Sequence, residues 1–312
     1  MAFKKALLIG ISQGSLDQEY WDRLDALADR IVHVAVDDPS IAQELKDTDC
    51  LLLGFNANAD QAVIDAAPDL KYIGVQATAF NRIDIEHAKT KNIPVCNLGG
   101  YSTESVAEFV IASLLEVIRG LEEGKQRGRS GNYSEDGMSA RELKGSEFGV
   151  IGLGNIGSRV AELAAGFGAN VSYWSHSAKN VPFTCKDLDE LITSSDFLSL
   201  NPALSPDTEN LLNAARINSL KAGAVVINTC PMELVDIEAL AERLAKNDIT
   251  FVLDHSDDMS EEDLATLGQY KNCIIYPPIA YISDGARRNK GEIFTGNIAA
   301  ALQGKPTNQV NK

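Results

Sequence analysis

Residues 147–168 read EFGVIGLGNIGSRVAELAAGFG. The apolar run Phe148–Ile151 passes directly into Gly152, Gly154 and Gly157 at G-x-G-x-x-G spacing, and a stretch of helical periodicity follows. A strand before and a helix after give this spacing a mechanism that the bare motif lacks. Gly152 is expected to make the tight turn, Gly154 to let a pyrophosphate approach the backbone, and Gly157 to let helix pack on strand. Asn155 and Ile156 then open a helix whose first N–H groups and dipole face the phosphates. Read outward from here, the fold is α/β and the expected ligand a dinucleotide.

About 20 residues further on, such a fold usually carries an acid for the ribose 2′-hydroxyl. Here NVSYWSHSAKN (170–180) places Ser175 at that point, with His176 and Lys179 after it. A carboxylate repels a 2′-phosphate and these side chains do not. The expected cofactor is therefore NADP or NAD, with a lean to NADP.

The same alternation runs through the whole chain. KKALLIGI, IVHVAV, DCLLLG, KYIGV and IPVCN predict strands in the first hundred residues, separated by charged helical segments. EFGVIGLG, ANVSYW, DFLSL, GAVVIN, ITFVLD and NCIIY form a second series. Strands alternating with helices mean parallel sheets covered on both faces. Between the series, residues 101–126 predict the longest helix of the chain, with Ser102 and Thr103 as capping candidates. Residues 284–303 predict a final helix. Two α/β units thus join near Leu98–Ser102.

Composition narrows the function class. Of 312 residues, 45% are hydrophobic and 23% charged, as in soluble globular chains. Lys+Arg 28 against Asp+Glu 44 gives a net charge of −16, which disfavours a nucleic-acid partner. No apolar run approaches the ~20 residues of a membrane span. Lys4 and Lys5 precede a run too short for a signal peptide. Cys50, Cys96, Cys185, Cys230 and Cys273 are widely spaced, without C-x-x-C. That pattern suits a reducing cytoplasm and predicts neither a disulfide framework nor a metal site.

Four segments together resemble the D-isomer-specific 2-hydroxyacid dehydrogenases. They are LKYIGVQATAFNRIDIEHAKTKNIPVCN (70–97), LGGYSTESVAE (98–108, with Gly99 where proline is usual), RELKGSEFGVIGLGNIGSRVA (141–161) and DTENLLNAARINSLKAGAVVINT (207–229). The resemblance implies two Rossmann-like domains with a cleft between them. Residues 1–98 plus 284–312 would form a flavodoxin-like substrate domain, and 99–283 the dinucleotide-binding domain. It also implies a homodimer held through the cofactor domains and the 101–145 arm, whose Lys125, Arg127 and Arg129 read as solvated or partner-facing. To the cofactor set of Gly152, Gly154, Asn155, Ile156, Gly157, Ser175, His176 and Lys179 it adds Asn201, Cys230 near the nicotinamide, and Asp254 toward its carboxamide. The substrate set it implies is Thr78, Ala79, Tyr101 and Ser102, with Ala79 standing where a glycine is usual.

The family's chemistry rests on an arginine, a glutamate and a histidine, and none stands at its matching position. NTCPMELVD (228–236) puts Pro231 at the arginine, DHSDDMSEED (254–263) puts Met259 at the glutamate, and PPIAYIS (277–283) puts Pro278 at the histidine. The glutamate match is the looser one, and a small shift brings Asp258 or Glu261 into it. A positioned acid/base contributes ~10²–10⁴-fold and an Arg–carboxylate contact ~1.5–3 kcal/mol. Without them, little ordinary 2-hydroxy acid oxidation is expected. Substitute catalytic candidates are Tyr281, Asp284, Arg287 and His255, while the bland reading of Asp284, Arg287 and Arg288 is helix capping and surface charge. Two functions follow as expectations: an oxidoreductase on CH–OH groups working through such residues, or an inactive dinucleotide-binding pseudoenzyme with a regulatory or scaffolding role.

Overall fold

The computed structural model describes residues 2–254, 256 and 259–312. The chain divides into two compact units, Met1–Ser102 with Ser283–Lys312, and Thr103–Ile282. The boundaries expected from the sequence are 98/99 and 283/284. Gly99–Ser102 belong to the first unit because Leu98 is buried in its core and Tyr101 packs against the same cluster.

The first unit is a parallel sheet of β1 (Ala6–Ile9), β2 (Ile31–Val34), β3 (Cys50–Leu53), β4 (Tyr72–Val75) and β5 (Val95–Cys96), ordered β2-β1-β3-β4-β5. This is the flavodoxin-like doubly wound order. Side chains alternate between two apolar layers, as strand geometry requires. Leu7, Ile9, Leu51, Leu53, Ile73 and Val75 fill one layer. Ala6, Leu8, Cys50, Leu52 and Tyr72 fill the other, together with Phe294 and Ile298 from the last helix. Each large apolar side chain so buried contributes ~1.5–3 kcal/mol. The helix lies close because Gly291 faces Tyr20: a Cβ there would come within 2.2 Å of the ring. Buried Asn297 also ties it to the segment just after β5, donating to the Asn97 carbonyl at 2.9 Å.

The second unit is a parallel sheet of β6 (Glu147–Ile151), β7 (Asn170–Trp174), β8 (Thr184–Cys185), β9 (Phe197–Leu200), β10 (Ala224–Asn228), β11 (Ile249–Leu253) and β12 (Cys273–Ile275). Its order, β12-β11-β10-β9-β6-β7-β8, is the Rossmann order with one further strand, and the order reverses between β6 and β9. The helix Thr103–Arg119 lies against the helix Asn155–Gly166, with Ala107, Val110 and Leu114 meeting Val160, Ala161 and Ala164.

Three expectations are corrected. Residues 101–126 are not one helix: Gly120, left-handed at φ 59°, separates Thr103–Arg119 from Leu121–Arg129. The longest helix is instead Asp284–Leu302, at 19 residues against 17. Its cap is Ser283, whose side chain accepts from the Ala286 N–H, and not Asp284. Among the described residues no helix is long and apolar enough to cross a membrane.

Candidate functional site

The glycine loop sits where the sheet order of the second unit reverses. Gly152 N–H donates to the Trp174 carbonyl on one side at 2.8 Å, and Asn201 N–H donates to the Ile151 carbonyl on the other at 2.8 Å. Gly152 has φ +89°, and a Cβ there would lie 2.7 Å from the Pro202 nitrogen. A Cβ on Gly157 would lie 2.0 Å from the Gly152 carbonyl oxygen, so the helix rests directly on the turn. Gly154 differs: its Cβ direction is open to 4 Å, and as N-cap it offers no side chain to the helix that Asn155 and Ile156 begin. The first N–H groups of that helix therefore have no side-chain cap, which suits phosphate oxygens.

A second feature points the same way. Asn201 donates through Nδ2 to the Ser199 carbonyl at 3.1 Å and its hydroxyl at 3.0 Å, while its buried Oδ1 has no partner among the described residues. An unsatisfied buried acceptor beside an open glycine cradle fits a ligand rich in hydroxyls, and a dinucleotide is one. At the end of β7, Ser175 Oγ donates to the Ser177 carbonyl at 2.5 Å, and the Lys179 N–H donates to the Tyr173 hydroxyl at 2.8 Å. His176 and Lys179 are exposed, and the His176 ring stands 5.1 Å from that of Trp174.

Cys230 follows β10. Its N–H donates to Asn228 Oδ1 at 3.0 Å and its Sγ–H to the Leu200 carbonyl at 3.3 Å, and burial pushes its thiol up to about 12. It is a neutral thiol at physiological pH and no nucleophile. Pro231 caps the short turn Met232–Leu234. Met259 packs partly buried against the core. Asp254, 1% exposed, accepts from the Ile279 and Ala280 N–H groups at 2.9 and 3.1 Å through Oδ1. It thereby fastens the segment carrying Pro278, which Ser105 also holds through a 2.7 Å bond to the Ala280 carbonyl. Ile279, Tyr281 and Ile282 on that segment are exposed. The sequence reading missed this anchoring role of Asp254. His255 lies outside the described residues, as does Asp258, while Glu261 begins the helix Glu261–Gly268.

In the first unit, Thr78 and Ala79 lie exposed in the loop after β4, Tyr101 is half-buried and Ser102 buried. Asp284 pairs with Arg288 at 2.9 Å, which lowers its carboxyl pKa, and Arg287 pairs with Asp17 at 2.7 Å. Both are engaged in surface ion pairs. Gln76, absent from the sequence-derived candidates, has a buried Nε2 without a partner among the described residues.

The family model for D-isomer specific 2-hydroxyacid dehydrogenase, NAD binding domain, matches residues 111–280. The chain is also 32% identical over 309 residues to the glyoxylate reductase of Thermofilum pendens, covering 93% of this chain and 90% of that one. The chain belongs to the D-isomer-specific 2-hydroxyacid dehydrogenase family. Among solved structures, D-lactate dehydrogenase from Aquifex aeolicus, complexed with NAD and lactic acid, superposes with TM-score 0.83 at 27% identity, covering 96% of both chains. An acyclic imino acid reductase in complex with NADPH and D-Arg superposes with TM-score 0.86 at 27% identity, covering 98% of this chain and 99% of that one. The family's cofactor is a nicotinamide dinucleotide, and the Gly152–Gly157 cradle with Asn201 fits it.

Proposed function

We propose that this chain binds a nicotinamide dinucleotide, NADP in preference to NAD, and acts as an oxidoreductase on a substrate other than an ordinary 2-hydroxy acid. The observation that carries this reading is the open, uncapped cradle at Gly154, followed by a β7 end with Ser175, His176 and Lys179 and no carboxylate. Bound there, the reduced cofactor supplies a hydride. Pro231, Met259 and Pro278 have no proton to give and no charge to set against a carboxylate. A 2-oxo group needs a proton at oxygen on reduction, whereas an iminium nitrogen already carries its own. The substrate that suits these residues is a 2-imino acid, and the likeness to an imino acid reductase supports it.

The five free cysteines suit a reducing cytoplasm. The chain forms a homodimer through its arm: the helix Leu121–Arg129 buries no residue, Leu121 is 49% exposed and Tyr133 87%. The basic cluster is locally paired, Lys125 with Glu122 at 2.7 Å and Arg127 with Glu123 at 2.5 Å. The test is NADPH oxidation with 2-oxo acids, alone and with ammonia or methylamine. Turnover that requires the amine supports the reading. Turnover equal without amine overturns the substrate class. Nucleotide binding without turnover on either set leaves a regulatory pseudoenzyme.

A further inference from the structure

We propose that the first unit carries a second ligand site, a basic cavity at the amino end of its sheet that takes a small organic phosphate. The cavity has a volume of about 510 Å³, within the range of small-molecule sites. It is lined by Lys71, which precedes β4, and by Asn92–Pro94, which precede β5. Thr78 and Ala79 follow the other end of β4, so the cavity lies apart from those substrate candidates.

Its charge sets it off from the rest of the chain. Lys71, Lys89 and Lys312 line it and no acidic side chain does among the described residues, in a sequence of 44 acidic and 28 basic residues. Lys71 Nζ lies 3.2 Å from Asp49 Oδ2, but that carboxylate also accepts from the Lys4 and Lys5 N–H groups. Lys89 Nζ donates to the Lys312 main-chain oxygen at 2.6 Å, and the Lys312 ammonium has no ion pair among the described residues. Like charges gathered on one cavity repel, and an anion between them removes that cost. Lysine binds phosphate as a point charge, whereas the fork of arginine matches a carboxylate, and no arginine lines the cavity among the described residues. Ile93, Pro94, Ala301 and Pro306 add apolar lining, which suits a short carbon skeleton attached to the phosphate.

The lining is fixed before any ligand arrives. Residues 308–311 run along β5: Asn97 N–H donates to the Asn308 carbonyl at 3.2 Å, and Val310 N–H to the Val95 carbonyl at 2.9 Å. Asn311, 6% exposed, accepts from Val95 N–H at 2.9 Å and donates to the Ile93 carbonyl at 2.8 Å. A site arranged in advance loses little ordering entropy when it fills.

This site depends neither on the dinucleotide nor on turnover. The experiment titrates the full chain calorimetrically with glycerol 3-phosphate and, separately, with inorganic phosphate. It compares wild type, the double variant Lys89→Gln/Lys312→Gln, and Gly154→Ala. Both lysines are exposed, so the double variant should unfold at the wild-type midpoint. Wild type should bind glycerol 3-phosphate saturably, with affinity falling as salt rises. The double variant should bind it about tenfold more weakly or worse, since two charge-assisted contacts are gone. Gly154→Ala, altered in the cradle that also suits phosphate, should bind it as wild type does. Inorganic phosphate should bind wild type more weakly than the ester. Wild-type affinity in the double variant, loss of binding in Gly154→Ala, equal affinity for the two probes, or no binding by wild type overturns the proposal.

Discussion

Replacing Gly154 and Gly157 separately by alanine separates a glycine kept for a ligand from one kept for packing. At Gly157 the new methyl would lie 2.0 Å from the Gly152 carbonyl oxygen, a backbone atom that cannot move without shifting the turn. Overpacking of that kind costs about 1–3 kcal/mol, and a contact this short belongs at the upper end. Helix propensity offsets ~1 kcal/mol of it. The net loss is ~2 kcal/mol, or ~4–8 °C in midpoint for a domain of this size. At Gly154 the methyl meets nothing within 4 Å, and φ −82°, ψ −161° is extended backbone that alanine adopts freely. Reduced freedom in the unfolded chain stabilises by ~0.4–1 kcal/mol. The poorer N-cap costs about 0.5–1 kcal/mol, so the two nearly cancel. Gly154→Ala should therefore unfold within ~2 °C of wild type yet bind NADPH at least tenfold more weakly, because its methyl occupies the pyrophosphate's approach. Differential scanning fluorimetry and calorimetric titration read the two effects. Full NADPH affinity in Gly154→Ala, or equal loss of stability in both variants, refutes the assignment.

Asp254→Ala removes the acceptor of the Ile279 and Ala280 N–H groups and should cost ~1–3 kcal/mol, a drop of several degrees by scanning calorimetry. An unchanged midpoint would show that the Pro278 segment is held by other contacts. Lys91 first, then His87, holds the Asp65 carboxyl down from 3.8 to about 2. A depressed carboxylate stabilises above its unfolded value, and the contribution is lost as pH falls through the folded one. Wild type should therefore lose this increment between pH 3.8 and about 2, and Asp65→Asn should show a flatter acid limb over that window in a midpoint-against-pH series.

The sheets were legible because most central strands are apolar runs: ALLI, CLLL, FLSL and AVVIN are buried throughout. β8 was not, since its two residues, Thr184 and Cys185, are exposed and carry no hydrophobic signal. The break at Gly120 was hidden because Leu121 extends the apolar spacing of the first helix one residue past it, while the left-handed φ of Gly120 ends that helix. The glycine cradle announced itself through spacing, and the family segments through local composition. Asp254 stood in the sequence as a cofactor contact, because its backbone partners lie 25 and 26 residues away and only folding brings them together. Gln76 was passed over for a related reason: the burial of one polar side chain among apolar neighbours is a property of the packed loop.

The central claim is that residues 152–157 hold a nicotinamide dinucleotide, and isothermal titration of the full chain with NADPH and, separately, NADH tests it most directly. The account predicts saturable binding of one NADPH per chain, with NADH at least tenfold weaker, a difference of ~1.4 kcal/mol. Tighter NADH binding would contradict the reading of Ser175, His176 and Lys179, and no binding of either nucleotide would contradict the account itself.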